Sequence, residues 1–329
     1  MKKIAIIGIG GRTGAMFAKE LRSNNSVLGV GMEKEVEEIR KGNLSLRLNQ
    51  KHIETFEAEM IKDDQFKESP IPDAIFLCTK NPVTAAVKYY YEIMKEKGGE
   101  MPILFLSQNG VAVIDEAREA LEEVFGDDAK KIKVARISLF NSVSREVING
   151  KVCLSYTLPI RLCFGPVSGS FEKGELGEFF DKTGIEAGEV SLSDVRSMEL
   201  SKLFLNLIGM ASASYRLSVP KGFEDSKVFK EEVEMLREYI KIVHAEGAHF
   251  IDFPHYPTKL MASLFSSVPI SILSVFRKQI GNAIGKGRRG KAKDLDEISY
   301  YNGAVVELGK KSGIPTPVNQ EIIKRTGVN

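Results

Sequence analysis

Along the first 140 residues, hydrophobic positions alternate between two patterns. Ile4-Ala5-Ile6-Ile7 is a short apolar run with no polar interruption, as in a strand buried on both faces. Ala15, Phe17, Ala18 and Leu21 then recur at helical spacing, which predicts a helix from near Arg12. "SVLGVGME" reads as a second strand and closes a βαβ unit of about thirty residues. Further buried strands are expected at "DAIFLCT" and "PILFLSQ", separated by the helical "PVTAAVKYYYEIMKEKG" with Pro82 near its first turn. "VIDEAREALEEVF" is again helical and "KIKVARISLF" strand-like. Such alternation predicts an α/β class: a mostly parallel sheet of Rossmann type with helices on both faces.

The pattern changes after about residue 150. "KVCLSYTLPIRLCFG" suggests two strands joined by a turn at Pro159, and "GELGEFFDKTG" a short helix ending on Gly184. From "SDVRSMELSKLFLNLIGMASASYRL" onward nearly everything has helical period. A boundary near Leu192 is therefore expected, with an α/β domain over 1–192 and an all-α domain over 193–329.

Composition narrows the class only slightly. The 329 residues carry a formal net charge of +2, which argues against a nucleic-acid partner bound by bulk charge. Cys78, Cys153 and Cys163 are too scattered for a disulfide framework and read as buried thiols, so a reducing cytoplasm is the expected location. Cys153 and Cys163 could meet across a hairpin. No run approaches the ~18 consecutive apolar residues of a membrane span, and the apolar run after Lys2-Lys3 is too short for a signal peptide.

"GIGGRTG", residues 8–14, is the first candidate chemistry. Gly8 permits a sharp turn after the strand, and Gly10 lets the backbone approach a pyrophosphate. Amides opening the next helix would face that anion, so Gly8, Ile9, Gly10, Gly11, Arg12 and Thr13 form a candidate dinucleotide cradle. Thr13 stands where G-x-G-x-x-G has its third glycine; Gly14 follows it. In "GMEKE", Glu33 could accept from adenosine ribose hydroxyls, favouring NAD, while Lys34 could pair with the 2′-phosphate of NADP.

"CTKNP" and "SQNGV" each follow a buried strand, so Lys80 and Asn109 would line the ligand crevice, or else cap the next helix. "ELSKLFLNLIG" puts Lys202 and Asn206 at i, i+4 on one helix face among apolar neighbours. "DEISYYNGAVVELGKKSGIPTPVN" offers Glu297 ahead of a helix ending near Gly313.

With these stretches in order, the chain resembles the ketopantoate reductase (2-dehydropantoate 2-reductase) family over nearly its whole length. The matching elements are Gly8/Gly10, Lys80, Gln108-Asn109-Gly110, Lys202/Asn206, and "DEISYYNG" with "GIPTPVN". The resemblance implies a helical domain like the C-terminal one of 6-phosphogluconate dehydrogenase, and reduction of 2-dehydropantoate to pantoate with NADPH, a step toward coenzyme A. It implies Lys202 as general acid for the developing alkoxide, Glu297 as the group holding a substrate hydroxyl and positioning Lys202, and Asn206 and Asn109 as substrate ligands.

Several positions depart from the family pattern. Met210 replaces a second Asn, Gly285 lies near an expected Ser, Asp296 replaces a Thr, and Met32 replaces a strand-end Arg. Met32-Glu33 leaves NAD open beside NADP. A hydroxyacid dehydrogenase for another substrate, or a dinucleotide sensor without catalysis, remain as alternatives. "GKGRRGKAK", residues 285–293, could close over a carboxylate or phosphate, or be a solvated loop. His244 and His249, five apart, do not share a face, so no metal site is expected. The partner expected is a small 2-oxoacid, with no membrane; the apolar helical domain could supply a homodimer face or be internal core.

Overall fold

The computed structural model describes residues 1–285, 293, 295 and 297–327. It divides into two compact units, Met1–Val195 and Arg196–Asn329.

The first unit is built on β1 (Lys3–Ile7), α1 (Arg12–Leu21), β2 (Ser26–Gly31) and α2 (Glu33–Arg40). Three short strands follow, β3 (Leu44–Leu48), β4 (His52–Thr55) and β5 (Met60–Lys62). Next come β6 (Ala74–Leu77), α3 (Thr84–Lys97), β7 (Ile103–Leu106), α4 (Val113–Phe125) and β8 (Val134–Leu139). The unit closes with β9 (Ser144–Ile148), β10 (Lys151–Tyr156), β11 (Ile160–Ser168) and β12 (Ile185–Glu189).

One eight-stranded sheet runs β12-β11-β8-β7-β6-β1-β2-β5. Its six strands from β5 to β8 are parallel, in the 3-2-1-4-5-6 order of a Rossmann sheet. β11 joins antiparallel to β8, and β12 pairs parallel to β11. Order reverses between β1 and β6, so the crevice beyond their C-terminal ends is the topological switch point. Both faces are apolar: Ile4, Ile6, Phe76 and Phe105 pack on one side, and Ala5, Ile7, Ile75 and Leu104 on the other.

Three sequence expectations fail here. β10 and β11 are not a hairpin: β10 enters a separate four-stranded sheet, β4-β3-β10-β9, while β11 stays in the main one. Cys153 therefore pairs across to Ser45 and Glu146, Cys163 to Ser138 and Gly188, and both thiols are free. Finally, "GELGEFFDKTG" yields only a single 3₁₀ turn, Gly177–Phe179, because glycines flank its apolar positions.

The second unit is helical. α5 (Val195–Leu207) leads into it, followed by α6 (Met210–Ser214), α7 (Val219–Glu224) and α8 (Ser226–Ala245). Then come α9 (Thr258–Ser267), α10 (Ile270–Val275), α11 (Arg277–Gly285), α12 (Ala304–Ser312) and α13 (Pro317–Thr326). The long helical run of the sequence breaks at Gly209, whose φ of +94° cannot continue a helix. Buried Glu232 on α8 accepts from the amides of Gly209 and Ser212, which satisfies donors exposed by the break. None of the described helices is long and apolar enough to cross a membrane.

A second buried carboxylate fixes the C-terminal helix. Glu238 accepts from the amides of Val318 (2.8 Å) and Asn319 (3.1 Å) at the start of α13. The Asn319 amide donates to Glu238 (2.7 Å) and to the Met235 carbonyl (3.2 Å), while Asn302 donates to Asn319 Oδ1 (2.9 Å). "YNG" and "TPVN" are thus joined as a clasp inside the unit. Asn319→Ala leaves several of these buried groups without partners and is expected to lower stability by about 2–3 kcal/mol. Urea unfolding checks this as a lower midpoint at unchanged slope.

Candidate functional site

The glycine turn after β1 is defined by three close backbone approaches. Gly8 adopts φ +87°, and a Cβ there would lie 3.0 Å from the Cys78 backbone at the end of β6. A Cβ on Gly11 would come within 3.1 Å of the Gly8 carbonyl oxygen, and one on Gly14 within 2.1 Å of the same atom. The working pattern is therefore G-x-x-G-x-x-G, Gly8, Gly11 and Gly14. Gly14 supplies the helix–strand contact that the sequence assigned to position 13, and Thr13 is free to differ.

This packing decides which amides remain for a ligand. Gly8 and Ile9 donate to the Val30 carbonyl, and Gly11 donates to Gly8. Ile9 is fully buried and its side chain fills the bare faces of Gly29 and Gly31. Ile9 is thus a clamp between the turn and β2; both its amide and its side chain are engaged, contrary to its expected place in the cradle. Arg12, Thr13 and Gly14 open α1, where first-turn amides have no intrahelical acceptor and the helix dipole is positive. An anion fits there.

Other polar groups surround the switch point. Thr79 Oγ1, Asn81 Oδ1 and Gln108 Oε1 are buried without a hydrogen-bond partner, all in the loops after β6 and β7. Buried unpaired polar atoms are rare and call for a partner, here a ligand with polar edges. Asn81 donates to the Asn109 carbonyl (2.6 Å), tying the two loops together, and Lys80 and Asn109 are both exposed at their tips. The Cys78 thiol, pushed up to about 12 by burial, is no nucleophile.

Sequence reasoning missed the residue that shapes the second loop. Arg136 on β8 is buried, and its guanidinium donates to the carbonyls of Leu106 (2.8 Å), Ile137 (2.9 Å), Gln108 (2.5 Å) and Gly110 (3.1 Å). A charged residue in the middle of the otherwise uncharged "VARISLF" was the available signal, since a buried Arg must find acceptors.

Glu33 is the first residue of α2, exposed, and paired with Lys62, which holds its carboxyl below the ordinary range. Glu35 is the acid that turns inward from "GMEKE". A Cβ on Gly10 would meet its Cδ at 2.7 Å, and one on Gly31 its Oε2 at 3.4 Å. Gly10 therefore bares its backbone to Glu35.

In the helical unit, Lys202 and Asn206 lie half-buried on α5, one turn apart. The Asn206 carbonyl accepts from Lys293, whose ammonium stands 4.9 Å from the centre of the Tyr301 ring. Tyr301, nearly buried, donates to the Glu297 carboxylate. Asn206, by its backbone carbonyl, and Glu297 are thus linked through Lys293, one of the cations of the basic stretch 285–293, and Tyr301, which the sequence reading did not single out. Tyr301 lies four residues after Glu297 within a π-helical turn, Ser299–Gly303, in which Asn302 is buried in the core. The remaining basic-loop residues, Lys286, Arg288, Arg289 and Lys291, and Asp296, lie outside the described residues.

A Rossmann sheet with a glycine turn at its switch point, followed by a helical unit, defines a dinucleotide-binding fold of two parts. Residues 4–137 match the family model described as Ketopantoate reductase PanE/ApbA. Among solved structures, a PanE/ApbA family ketopantoate reductase from Ralstonia eutropha JMP134 superposes with TM-score 0.70 at 21% identity, over 99% of this chain and 97% of that one. A 2-dehydropantoate 2-reductase from Geobacter metallireducens GS-15 gives 0.69 at 16% identity, over 98% of each chain. D-mandelate dehydrogenase with NADH and anilino(oxo)acetate gives 0.69 at 17% identity, over 98% of this chain and 97% of that one. These likenesses show a shared fold. No curated protein sequence matches the chain.

Gly14→Ala should lower stability by about 1–3 kcal/mol through overpacking against Gly8. Thr13→Gly, which restores the written fingerprint, should instead cost about 0.5–1 kcal/mol as an ordinary glycine in a helix. Denaturant midpoints of the two variants distinguish the two patterns.

Proposed function

We propose that the protein is a nicotinamide-dependent reductase of a 2-oxoacid, with reduction of 2-dehydropantoate to pantoate as its first candidate reaction. The observation that carries this reading is the linked set Asn206–Lys293–Tyr301–Glu297 one helical turn from Lys202, in a chain whose other unit holds a glycine cradle. A bound nicotinamide dinucleotide would supply hydride. Arg12, Thr13 and Gly14 amides would hold its pyrophosphate, with Lys80, Asn81, Gln108 and Asn109 around it.

Reduction of a ketone leaves charge on oxygen, and a proton must reach it. In this reading Lys202 donates that proton, and Asn206 orients the carbonyl. Glu297, held by Tyr301, accepts from a substrate hydroxyl. Lys293 offers a second cation beside Asn206, suited to a substrate carboxylate. A second reading, a 2-hydroxyacid dehydrogenase for a bulkier substrate, is favoured by the likeness to D-mandelate dehydrogenase and by Met210, fully buried, where the family has Asn.

Oxidation of NADH and NADPH against a panel of 2-oxoacids that includes 2-dehydropantoate and aryl-substituted members tests both. Turnover of 2-dehydropantoate above the others supports the first, and preference for aryl oxoacids the second. Tight dinucleotide binding with no turnover would leave a sensor instead. Lys202→Ala is expected to lower kcat by about 100-fold or more, the range of a general acid, with dinucleotide affinity unchanged by calorimetry.

A further inference from the structure

The buried guanidinium of Arg136 collects carbonyls along the run that leaves β7. Leu106, Gln108 and Gly110 all accept from it, at 2.8, 2.5 and 3.1 Å, so three alternate peptide units are turned toward one planar fork. Gly110 completes the turn at φ +109°, a conformation that favours glycine. The conformation of 107–111 is therefore imposed from β8, one strand further from the switch point.

The same run is fastened to β6 on its other side. Ser107 Oγ (2.8 Å) and Gln108 Nε2 (3.0 Å) both donate to the Leu77 carbonyl, and Asn81 donates to the Asn109 carbonyl. Gln108 is thus held twice, its backbone by Arg136 and its side-chain nitrogen by Leu77. That fixes the direction of Oε1, which is buried and has no hydrogen-bond partner. Asn81 Oδ1, across the tie between the two loops, is in the same condition. Both atoms are acceptors and call for donors.

Their place in the sheet decides which part of a ligand could supply those donors. In a doubly wound sheet the pyrophosphate of a dinucleotide sits at the first helix, and its adenosine lies toward the second strand, here β2. The other half extends over the ends of β6 and β7. That half offers two ribose hydroxyls and a carboxamide N–H₂, all donors. We propose that Arg136 is a positioning residue for the nicotinamide half of the dinucleotide: without touching the ligand, it holds 107–111 in the conformation that presents Gln108 Oε1 to it. This assignment rests on the cofactor reading above and adds a residue, remote from the glycine cradle, that governs affinity for one half of the cofactor.

Calorimetry with two ligands separates this role from a structural one. The first is whichever of NADH and NADPH the native chain binds more tightly; the second is its adenosine end alone, ADP or 2′-phospho-ADP. Arg136→Lys keeps the charge but cannot span the carbonyls. It should weaken the dinucleotide by at least about 10-fold, the worth of one hydrogen bond or more, and leave the adenosine fragment within about threefold. Equal weakening of both ligands marks a merely structural role and overturns the proposal, as does an unchanged dinucleotide affinity. If Arg136→Lys does not fold, as judged by its thermal transition, Gly110→Ala decides the matter. It disturbs the same run without stranding a buried charge and should give the same split between the ligands; equal effects, or none, overturn the proposal. A native chain that binds the fragment as tightly as the dinucleotide also overturns it, while leaving the adenosine end of the cofactor reading intact. Failure of the native chain to bind either ligand overturns the cofactor reading and this assignment with it.

Discussion

Everything at the candidate cradle depends on how closely the first turn of α1 approaches the end of β1. The Gly8 carbonyl lies where a side chain on Gly11 or Gly14 would have to be. That contact sets the height of the helix over the sheet and hence where its free amides point. Ile9, pinned between the turn and the glycines of β2, locks the same geometry from the other side. A turn built this way leaves no adjustable side chain between strand and helix, so the anion-facing amides are fixed before any ligand arrives.

The helical unit uses buried carboxylates for comparable ends. Glu232 satisfies the amides freed where the helix breaks after α5, and Glu238 those that open α13. Both come from α8, which acts as the central post of the unit. Asn302 and Asn319, in the matching stretches "DEISYYNG" and "GIPTPVN", are spent on this internal network. Their neighbours Glu297 and Tyr301 are the ones left facing Lys293 and Asn206.

Much of this was legible in the chain. Continuous apolar runs such as Ile4–Ile7 and Ile103–Leu106 announced the parallel strands, and the helical periods of α1, α3 and α4 were equally plain. β3, β4 and β5 were not, because they are short and carry charged residues on an open face. Which acid of "GMEKE" turns inward depends on where α2 starts, one residue's difference rotating every side chain by about 100°. The Met32-to-Glu35 spacing held that information as a helix-start signal. Lys293 was legible only as one cation of the basic stretch, and its meeting with Tyr301 was not legible, because no local pattern joins those two segments.

Arg136 carries a different lesson. The shape of the loop 107–111 is not contained in the loop; it is dictated by a guanidinium almost thirty positions downstream, on another strand. Lysine could not replace it, since one ammonium cannot reach four carbonyls spread across a plane. The segment is therefore not portable. Transplanted into a related sheet without its distant arginine, the same residues would arrive without their conformation, and the two positions would have to travel through evolution as one.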